Sequence, residues 1–297
     1  MLFTIDQIIE RARAERTQTL AVAAAHDEDV LTAVDLAAKD GLCRPILIGV
    51  RDEILRLLPA AAEYEIIDAD SDEDCAKKAV ALVRNGVAGC LMKGFLPTGA
   101  LIKAALNKEE GIRTERLLSH VMVYEAAGYG KLIFNTDGGI NVAPNLEQKA
   151  QILENAAIML KALGYESMTT ACVCGAETVN EKIQATVDAA ALAQMTDRYK
   201  AYNMRIFGPV GLDLAISREA CRHKRYTAEG AGEADILLFP NYEAGNCMGK
   251  TLTYFAKAKS AGVVMGARVP IVLTSRADTA QTKKASIALG CIVGGRA

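Results

Sequence analysis

The stretch TLAVAAAHDEDVLTAVDLAAKDGLCRPILIGV (residues 19–50) decides the fold class of this 297-residue chain. It opens with an apolar run at Thr19–Ala25 and continues with a helical pattern over about Glu28–Asp40, which Gly41 ends. A second apolar run, RPILIGV, follows. Short apolar runs that do not alternate with polar residues are typical of strands buried on both faces, and a helix between two of them makes a parallel β-α-β unit. The stretch therefore predicts an α/β fold.

The same alternation continues along the chain. Further strands are predicted at YEIIDA and AGCLM, and the neighbouring runs SHVMVYEA and KLIFNTD predict an antiparallel pair inserted in a mostly parallel sheet. The segment DGGINVAP (137–144) then interrupts this alternation of strands and helices with Gly, Asn and Pro residues, which indicates a hinge. We therefore expect two α/β/α lobes with a cleft between them, one from 1–136 plus 276–297 and one from 137–275.

The second series is predicted from its own runs of apolar and helical residues. Strands are expected at TTACVCG, RIFGPV, ADILLFP and PIVLTS. Helices are expected at about 146–163, 179–193 and 249–261, and a last helix near Asp278.

Composition and charge exclude several function classes. A net charge of −2 gives no basic footprint, which argues against a nucleic-acid partner. The N-terminal run MLFTIDQIIERARAER is unlike a signal peptide, and no apolar run reaches the roughly 18 residues that a membrane span needs. The eight cysteines are scattered, and Cys172 and Cys174 have no second ligand pair. We expect reduced thiols, a cytoplasmic location, no membrane partner and no metal site.

The segment TSRADT (274–279) delivers Ser275 and Arg276 into a turn after a predicted strand. Asp278, with Gln281 three residues later, forms a capping-box pattern that explains the aspartate alone. An arginine beside a serine at a helix N-terminus makes an anion site, because guanidinium donors, free backbone N–H groups and the helix dipole point the same way. The segment predicts an anion-binding site.

Two other segments carry polar residues after predicted strands. AGNCMGKT (244–251) matches a degenerate phosphate-loop pattern in which Lys250 is the lysine, but its first position is Ala244 and residues intervene after the strand. NTDGGINVAPN (135–145) places Asp137 and Asn141 around two glycines, which is also the pattern of a solvated turn. Lys93 in LMKG follows a strand, where a lysine either reaches a phosphate or is solvated.

Ordered segments over nearly the whole chain resemble the phosphate acetyl/butyryltransferase family, and its phosphate butyryltransferase branch in particular. The most specific are ADILLFPNYEAGN (234–246), KTLTYFAKAKSAG, GARVPIVLTSRADT and SIALG. The segments LMKG, SHVMVYE, TDGGINVAPNLEQK, GAETVN, ATVDAAALAQM and GPVGLDLAIS agree in order and spacing.

This resemblance implies two α/β/α lobes of the isocitrate/isopropylmalate dehydrogenase type, with the active site in an interdomain cleft. It implies reversible exchange of a short-chain acyl group between coenzyme A and inorganic phosphate, in a homodimer or larger homo-oligomer. Coenzyme A would be a substrate, and no cofactor would be tightly bound. By position, Ser275 and Arg276 match the site pair of the family and Asn246 matches its loop asparagine, while Lys93 and Asn141 fall in motifs of less certain role.

Two positions depart from the family pattern. Gly249 stands where the family often has Tyr before the lysine, which creates the phosphate-loop match at Lys250. The acetyl branch carries its proposed catalytic aspartate seven residues after the serine, and that position here is Thr282, so Asp278 is a substitute candidate.

The resemblance leads us to expect direct transfer in a ternary complex, with Arg276 holding phosphate and Ser275 stabilising the oxyanion. Asp278 would position the thiol or Arg276, since a carboxylate with a pKa near 3.9 is a poor base for a thiol near 8.5. Alternatives remain: a phosphate acetyltransferase, a P-loop nucleotide-binding enzyme that uses Lys250, a dehydrogenase of the isocitrate type, and a non-catalytic acyl-CoA-binding protein. An acyl-cysteine enzyme is disfavoured, because no cysteine has a visible base partner.

Overall fold

The structure of the protein is a computed structural model, which describes residues 2–275 and 277–295. The helices are α1 (Ile5–Ala14), α2 (Glu28–Lys39), α3 (Arg51–Leu57), α4 (Asp72–Arg84), α5 (Thr98–Ala105), α6 (Leu146–Ala162), α7 (Gln184–Gln194), α8 (Thr196–Tyr199), α9 (Leu212–Ile216), α10 (Arg218–Lys224), α11 (Tyr242–Tyr254) and α12 (Ala280–Gly294). The strands are β1 (Gln18–Ala23), β2 (Cys43–Gly49), β3 (Glu65–Asp68), β4 (Cys90–Lys93), β5 (Ser119–Glu125), β6 (Ile133–Thr136), β7 (Met168–Val173), β8 (Met204–Val210), β9 (Ile236–Leu238), β10 (Lys259–Met265) and β11 (Ile271–Val272).

The chain folds as two compact units. The terminal unit comprises Ile5–Arg116 and Ser260–Ala297, and the middle unit comprises Met1–Thr4 and Leu117–Lys259. Both combine helices with mostly parallel strands, so the predicted α/β class is confirmed.

The terminal unit has the strand order β3-β2-β1-β4-β11-β10, and only β10 and β11 pair antiparallel. Helix α12 packs against α1 and α2, and its residues from Ala285 to Val293 are buried. Because β1, β4 and β11 run parallel, their carboxyl ends meet at one edge of the sheet. This is the edge at which open α/β sheets bind their ligands.

The predicted β-α-β unit of residues 19–50 is confirmed as β1, α2 and β2. Helix α2 begins after Asp27, whose carboxylate accepts the Val30 N–H at 3.0 Å. It ends before Gly41, whose φ of +74° lies in the left-handed region that glycine favours. The local signals therefore act here as the sequence predicts.

The middle unit has the strand order β5-β6-β9-β7-β8. Strands β5 and β6 form the predicted antiparallel pair, and the other neighbours run parallel. Side chains of β6, β7 and β9 share an apolar core with α11, among them Ile133, Val173, Leu237 and Leu252. The carboxyl ends of β6 and β9 lead into the segments that contain Asp137 and Asn241.

Several boundaries differ from the prediction. The units change at 116/117 and 259/260, rather than at 136/137 and 275/276, because β6 pairs with β9 and so joins β5 and β6 to the middle unit. Helix α11 begins at Tyr242 instead of 249, and residues 259–261, predicted as the end of that helix, belong to β10.

Candidate functional site

Ser275 lies in a tight turn after β11. Its side chain is exposed, whereas the preceding Thr274 is buried. The Ser275 backbone N–H donates to Asp278 Oδ2 at 2.8 Å, and the Asp278 N–H donates to the Ser275 carbonyl oxygen at 3.1 Å. The Ala277 N–H lies 3.4 Å from Ser275 Oγ. This double link fixes the backbone at Ser275 and leaves its hydroxyl hydrogen available for a ligand.

The start of α12 corrects one prediction. The N-cap is Thr279, whose hydroxyl accepts the Thr282 N–H at 3.2 Å, and not Asp278 with Gln281. The physical reason is that the Asp278 carboxylate is already engaged by the Ser275 N–H. Asp278 therefore positions the serine turn rather than capping the helix.

Two buried lysines lie close to this turn. Lys93 ends β4 and is 7% exposed, and its Nζ donates to the carbonyl oxygens of Gly94 at 2.9 Å and Leu96 at 3.2 Å. Lys283 in α12 is 2% exposed, and its Nζ donates to the carbonyl oxygen of Asp278. Each lysine thus holds a loop at the carboxyl edge of the terminal unit's sheet.

The serine turn and both lysines line a single pocket of about 100 Å³. Its polar lining consists of Asp27, Asp29, Lys93, Thr274, Ser275 and Lys283. The lysines are buried, whereas Asp29 is exposed and Asp27 is partly exposed, so the cationic groups lie deeper than the carboxylates. Gly94 permits the close packing here, because a Cβ at this position would lie 2.2 Å from the Ala24 carbonyl oxygen. The pocket suits a small anion.

Of the predicted site residues, Lys93 and Ser275 therefore lie together in this pocket, and Asp278 supports it. Arg276 lies outside the described residues, and its predicted role in holding phosphate stays a prediction. Lys283 was missed from sequence. Its only signal is its position four residues before Ile287, on the side of the helix that is apolar.

Asp137 and Asn141 lie in the middle unit, in the turn that follows β6. The Asp137 carboxylate is buried and accepts the backbone N–H groups of Gly139 at 2.8 Å, Ile140 at 3.0 Å and Asn141 at 3.2 Å. It also accepts Asn141 Nδ2 at 2.6 Å, and that nitrogen donates to the Leu118 carbonyl oxygen at 2.8 Å as well. Four donors thus occupy the carboxylate, which orders the turn and leaves Asp137 little capacity for a ligand.

Helix α11 packs directly on this turn. A Cβ at Gly138 would lie 2.6 Å from the carbonyl carbon of Gly245, so the two backbones touch. Asn246 Nδ2 donates to the Gly138 carbonyl oxygen at 3.1 Å. The structure therefore brings Asn246 together with Asp137 and Asn141, as one cluster of the middle unit.

Lys250 contradicts the P-loop alternative. The segment AGNCMGKT (244–251) lies wholly within α11, so it is helix where a P-loop needs an open glycine-rich turn that follows a strand. The Lys250 side chain is exposed, and its Nζ lies 5.9 Å from the ring centroid of Tyr254. The alternative interpretation of this segment as a P-loop that binds a nucleotide through Lys250 is therefore wrong.

The cysteines are free thiols, and all except Cys247 are buried. Burial raises the pKa of the Cys43 and Cys172 thiols, which disfavours the nucleophilic thiolate. Residues 2–275 and 277–295 contain no group of three or more His, Cys, Asp or Glu side chains arranged to hold a metal ion. In the same described part of the chain, every helix is too short or too polar to cross a membrane.

Comparisons with known proteins agree with this geometry. The family model described as phosphate acetyl/butaryl transferase matches residues 69–291. The phosphate butyryltransferase of Clostridium acetobutylicum is 41% identical, with 99% of each chain aligned.

Among solved structures, a branched-chain phosphotransacylase from Enterococcus faecalis V583 is 32% identical. It superposes with a TM-score of 0.85 over 94% of this chain and 99% of its own. A 4-hydroxythreonine-4-phosphate dehydrogenase from Klebsiella pneumoniae shares the fold alone, at 13% identity and a TM-score of 0.56 over 94% of this chain and 100% of its own. The chain therefore belongs to the phosphate acetyl/butyryltransferase family.

Proposed function

We propose that this protein is a phosphate acyltransferase, which reversibly transfers a short-chain acyl group between coenzyme A and inorganic phosphate. The observation that carries the proposal is the pocket with Ser275 and two buried lysines, at the ligand-binding edge of the terminal unit. Family membership supplies the reaction class.

The chemistry is direct attack in a ternary complex. A phosphate oxygen attacks the thioester carbonyl carbon, the tetrahedral intermediate collapses, and the carbon–sulfur bond breaks. The proton lost by phosphate goes to the departing thiolate, so that acyl phosphate and coenzyme A are formed. The Ser275 hydroxyl donates to the oxyanion of the intermediate, a type of contact worth about 2.7–4 kcal/mol. Arg276 holds the phosphoryl group in this proposal, and Asp278 keeps Ser275 in place.

We assign the acyl group to the butyryl class. The support comes from the similar proteins, since one is named phosphate butyryltransferase and another is named branched-chain phosphotransacylase. Phosphate acetyltransferase activity is the alternative within the same family.

Three further properties belong to the proposal. Coenzyme A acts as a substrate and no cofactor is tightly bound. The protein works in the cytoplasm. It forms a homodimer or larger homo-oligomer, and light scattering tests this oligomeric state. Its fold is related to that of the isocitrate/isopropylmalate dehydrogenases, and the likeness to a 4-hydroxythreonine-4-phosphate dehydrogenase supports this at the level of fold.

The test is thiol release from acetyl-, propionyl-, butyryl- and valeryl-CoA, with and without phosphate. A blank without acyl-CoA corrects for the one exposed cysteine, Cys247. We expect phosphate-dependent release that is fastest with butyryl-CoA. Release without phosphate would indicate a thioesterase, and no release from any acyl-CoA would contradict the proposal.

A further inference from the structure

Lys283 carries an ammonium group whose burial needs an explanation. The side chain is 2% exposed, and its hydrogen bond is to a backbone carbonyl oxygen, that of Asp278. Among residues 2–275 and 277–295, the partner observed for the Lys283 ammonium is this carbonyl oxygen and not a carboxylate. A buried charge is costly unless it is paired, so a lysine in this position implies an anionic partner.

The pocket gives this partner a place and a size. Lys283 lines the pocket of about 100 Å³ together with Lys93 and Ser275. An ammonium has three N–H donors, and the Asp278 carbonyl takes one of those on Lys283. Pockets that enclose a cofactor-sized ligand measure roughly 300–1,000 Å³. This pocket is therefore too small for coenzyme A and matches a single tetrahedral oxyanion.

The contacts of Lys283 also tie it to the serine turn. Its Nζ bonds the Asp278 carbonyl oxygen, and the Asp278 carboxylate accepts the Ser275 N–H at 2.8 Å. An anion held by Lys283 therefore sits beside the turn that the same lysine supports. The neighbouring Lys284 has a different partner, because its ammonium pairs with Asp40.

We infer that Lys283, together with Lys93, binds the phosphoryl oxygens of inorganic phosphate or acyl phosphate in this pocket, and that Lys283 also positions the Ser275 turn. The inference rests on the proposed function and names the residues that give it its phosphate site.

The test replaces Lys283 by methionine, which keeps the volume and removes the charge. Because Lys283 has no carboxylate partner among the described residues, Lys283→Met leaves no buried charge without its partner, and we expect the variant to fold. We expect its KM for phosphate to rise roughly tenfold or more, as for a lost charge-assisted hydrogen bond, while its KM for acyl-CoA stays within about twofold. Lys284→Met is the matched control and is expected to keep the wild-type KM for phosphate.

Binding of phosphate is measured separately from turnover, as the rise in melting temperature with phosphate over chloride at equal ionic strength. The wild type is expected to show the rise and Lys283→Met to lose it. If no acyl-CoA is a substrate but this difference remains, the proposed function fails and the anion site stands.

Other outcomes overturn the inference. One is a folded Lys283→Met enzyme with unchanged KM for phosphate. Another is a Lys283→Met variant whose KM rises for acyl-CoA instead of for phosphate. If the same substitution leaves the KM for dephospho-CoA thioesters unchanged, the lysine would be assigned to a phosphate of coenzyme A. If Lys283→Met does not fold, Lys283→Gln is used, and an unchanged KM for phosphate in that variant contradicts the inference.

Discussion

The pocket lined by Ser275, Lys93 and Lys283 in the terminal unit (the serine pocket) and the Asp137 turn of the middle unit both contain buried polar side chains. They differ in how much of the hydrogen-bonding capacity of these side chains the protein itself uses. In the turn, the Asp137 carboxylate meets four donors, and the asparagine amides of Asn141 and Asn246 bond backbone oxygens. In the pocket, the Lys283 ammonium is buried with a backbone carbonyl oxygen as its described partner, and Ser275 is exposed. A polar group is available for a ligand only when the protein leaves part of its bonding capacity unused.

The largest effect is expected at Ser275. Ser275→Ala removes the hydroxyl donor to the oxyanion, and we expect kcat to fall about 10²–10³-fold, as for loss of one oxyanion donor. Steady-state kinetics with butyryl-CoA and phosphate measure this. The fold is expected to be unchanged, because the links to Asp278 use the backbone of Ser275. A kcat within threefold of wild type would remove Ser275 from the chemistry.

Asp137 is expected to contribute to the stability of the fold rather than to phosphate binding. Asp137→Asn turns one acceptor oxygen into a donor that faces N–H groups, which is expected to cost about 1–3 kcal/mol of unfolding free energy. Urea denaturation measures the loss. The KM for phosphate of the folded variant is expected to stay within twofold. A tenfold rise in that KM with unchanged stability would reverse the roles of the two regions.

Two substitutions at Asp278 distinguish a role in positioning Ser275 from a role in proton transfer. Asparagine keeps an oxygen that accepts the Ser275 N–H, whereas alanine does not. We therefore expect Asp278→Ala to lower kcat about tenfold and Asp278→Asn to lower it less than threefold, from the worth of one hydrogen bond to a charged group. Equal losses in the two variants would show that the carboxylate itself takes part in proton transfer.

The smallest effect is expected at Asp27, which lines the pocket and caps α2. Asp27→Asn keeps the cap, because asparagine is as good an N-cap, and removes one negative charge. The KM for phosphate is expected to fall about twofold, with unfolding free energy changed by less than about 0.5 kcal/mol. Glu28→Gln, which changes the neighbouring charge outside the pocket, is the control. An equal fall in both variants would show a general charge effect.

Local signals predicted much of the fold. The apolar runs of β1 and β2, with Asp27 and Gly41 at the ends of α2, gave the β-α-β unit. The start of α11 was misread because Gly245 and Gly249 suggest a loop. Their small size serves close packing instead, since a Cβ at Gly249 would lie 2.5 Å from the Tyr124 hydroxyl. Contacts between residues that are far apart in the sequence cannot be predicted from the residues next to each glycine.

The candidate site was predicted in part. Lys93 is the last residue of β4, and Ser275 follows β11, which runs parallel to β4, so their proximity follows from topology. Lys283 could not be found in this way, because a lysine in a helix is usually exposed and the sequence does not show which face its neighbours cover. The occupied state of Asp137 was equally hidden, since a carboxylate beside two glycines has the same sequence pattern whether it binds a ligand or orders a turn.

The most direct test of the contrast between the two regions is the position of a bound oxyanion. Crystals of the wild-type protein soaked in selenate, a phosphate-like anion with a strong anomalous signal, would locate it. We predict an anomalous peak within hydrogen-bonding distance of Lys93 and Lys283, beside Ser275. A peak at the Asp137 turn, or none in the serine pocket at a selenate concentration that inhibits the enzyme, would contradict the account.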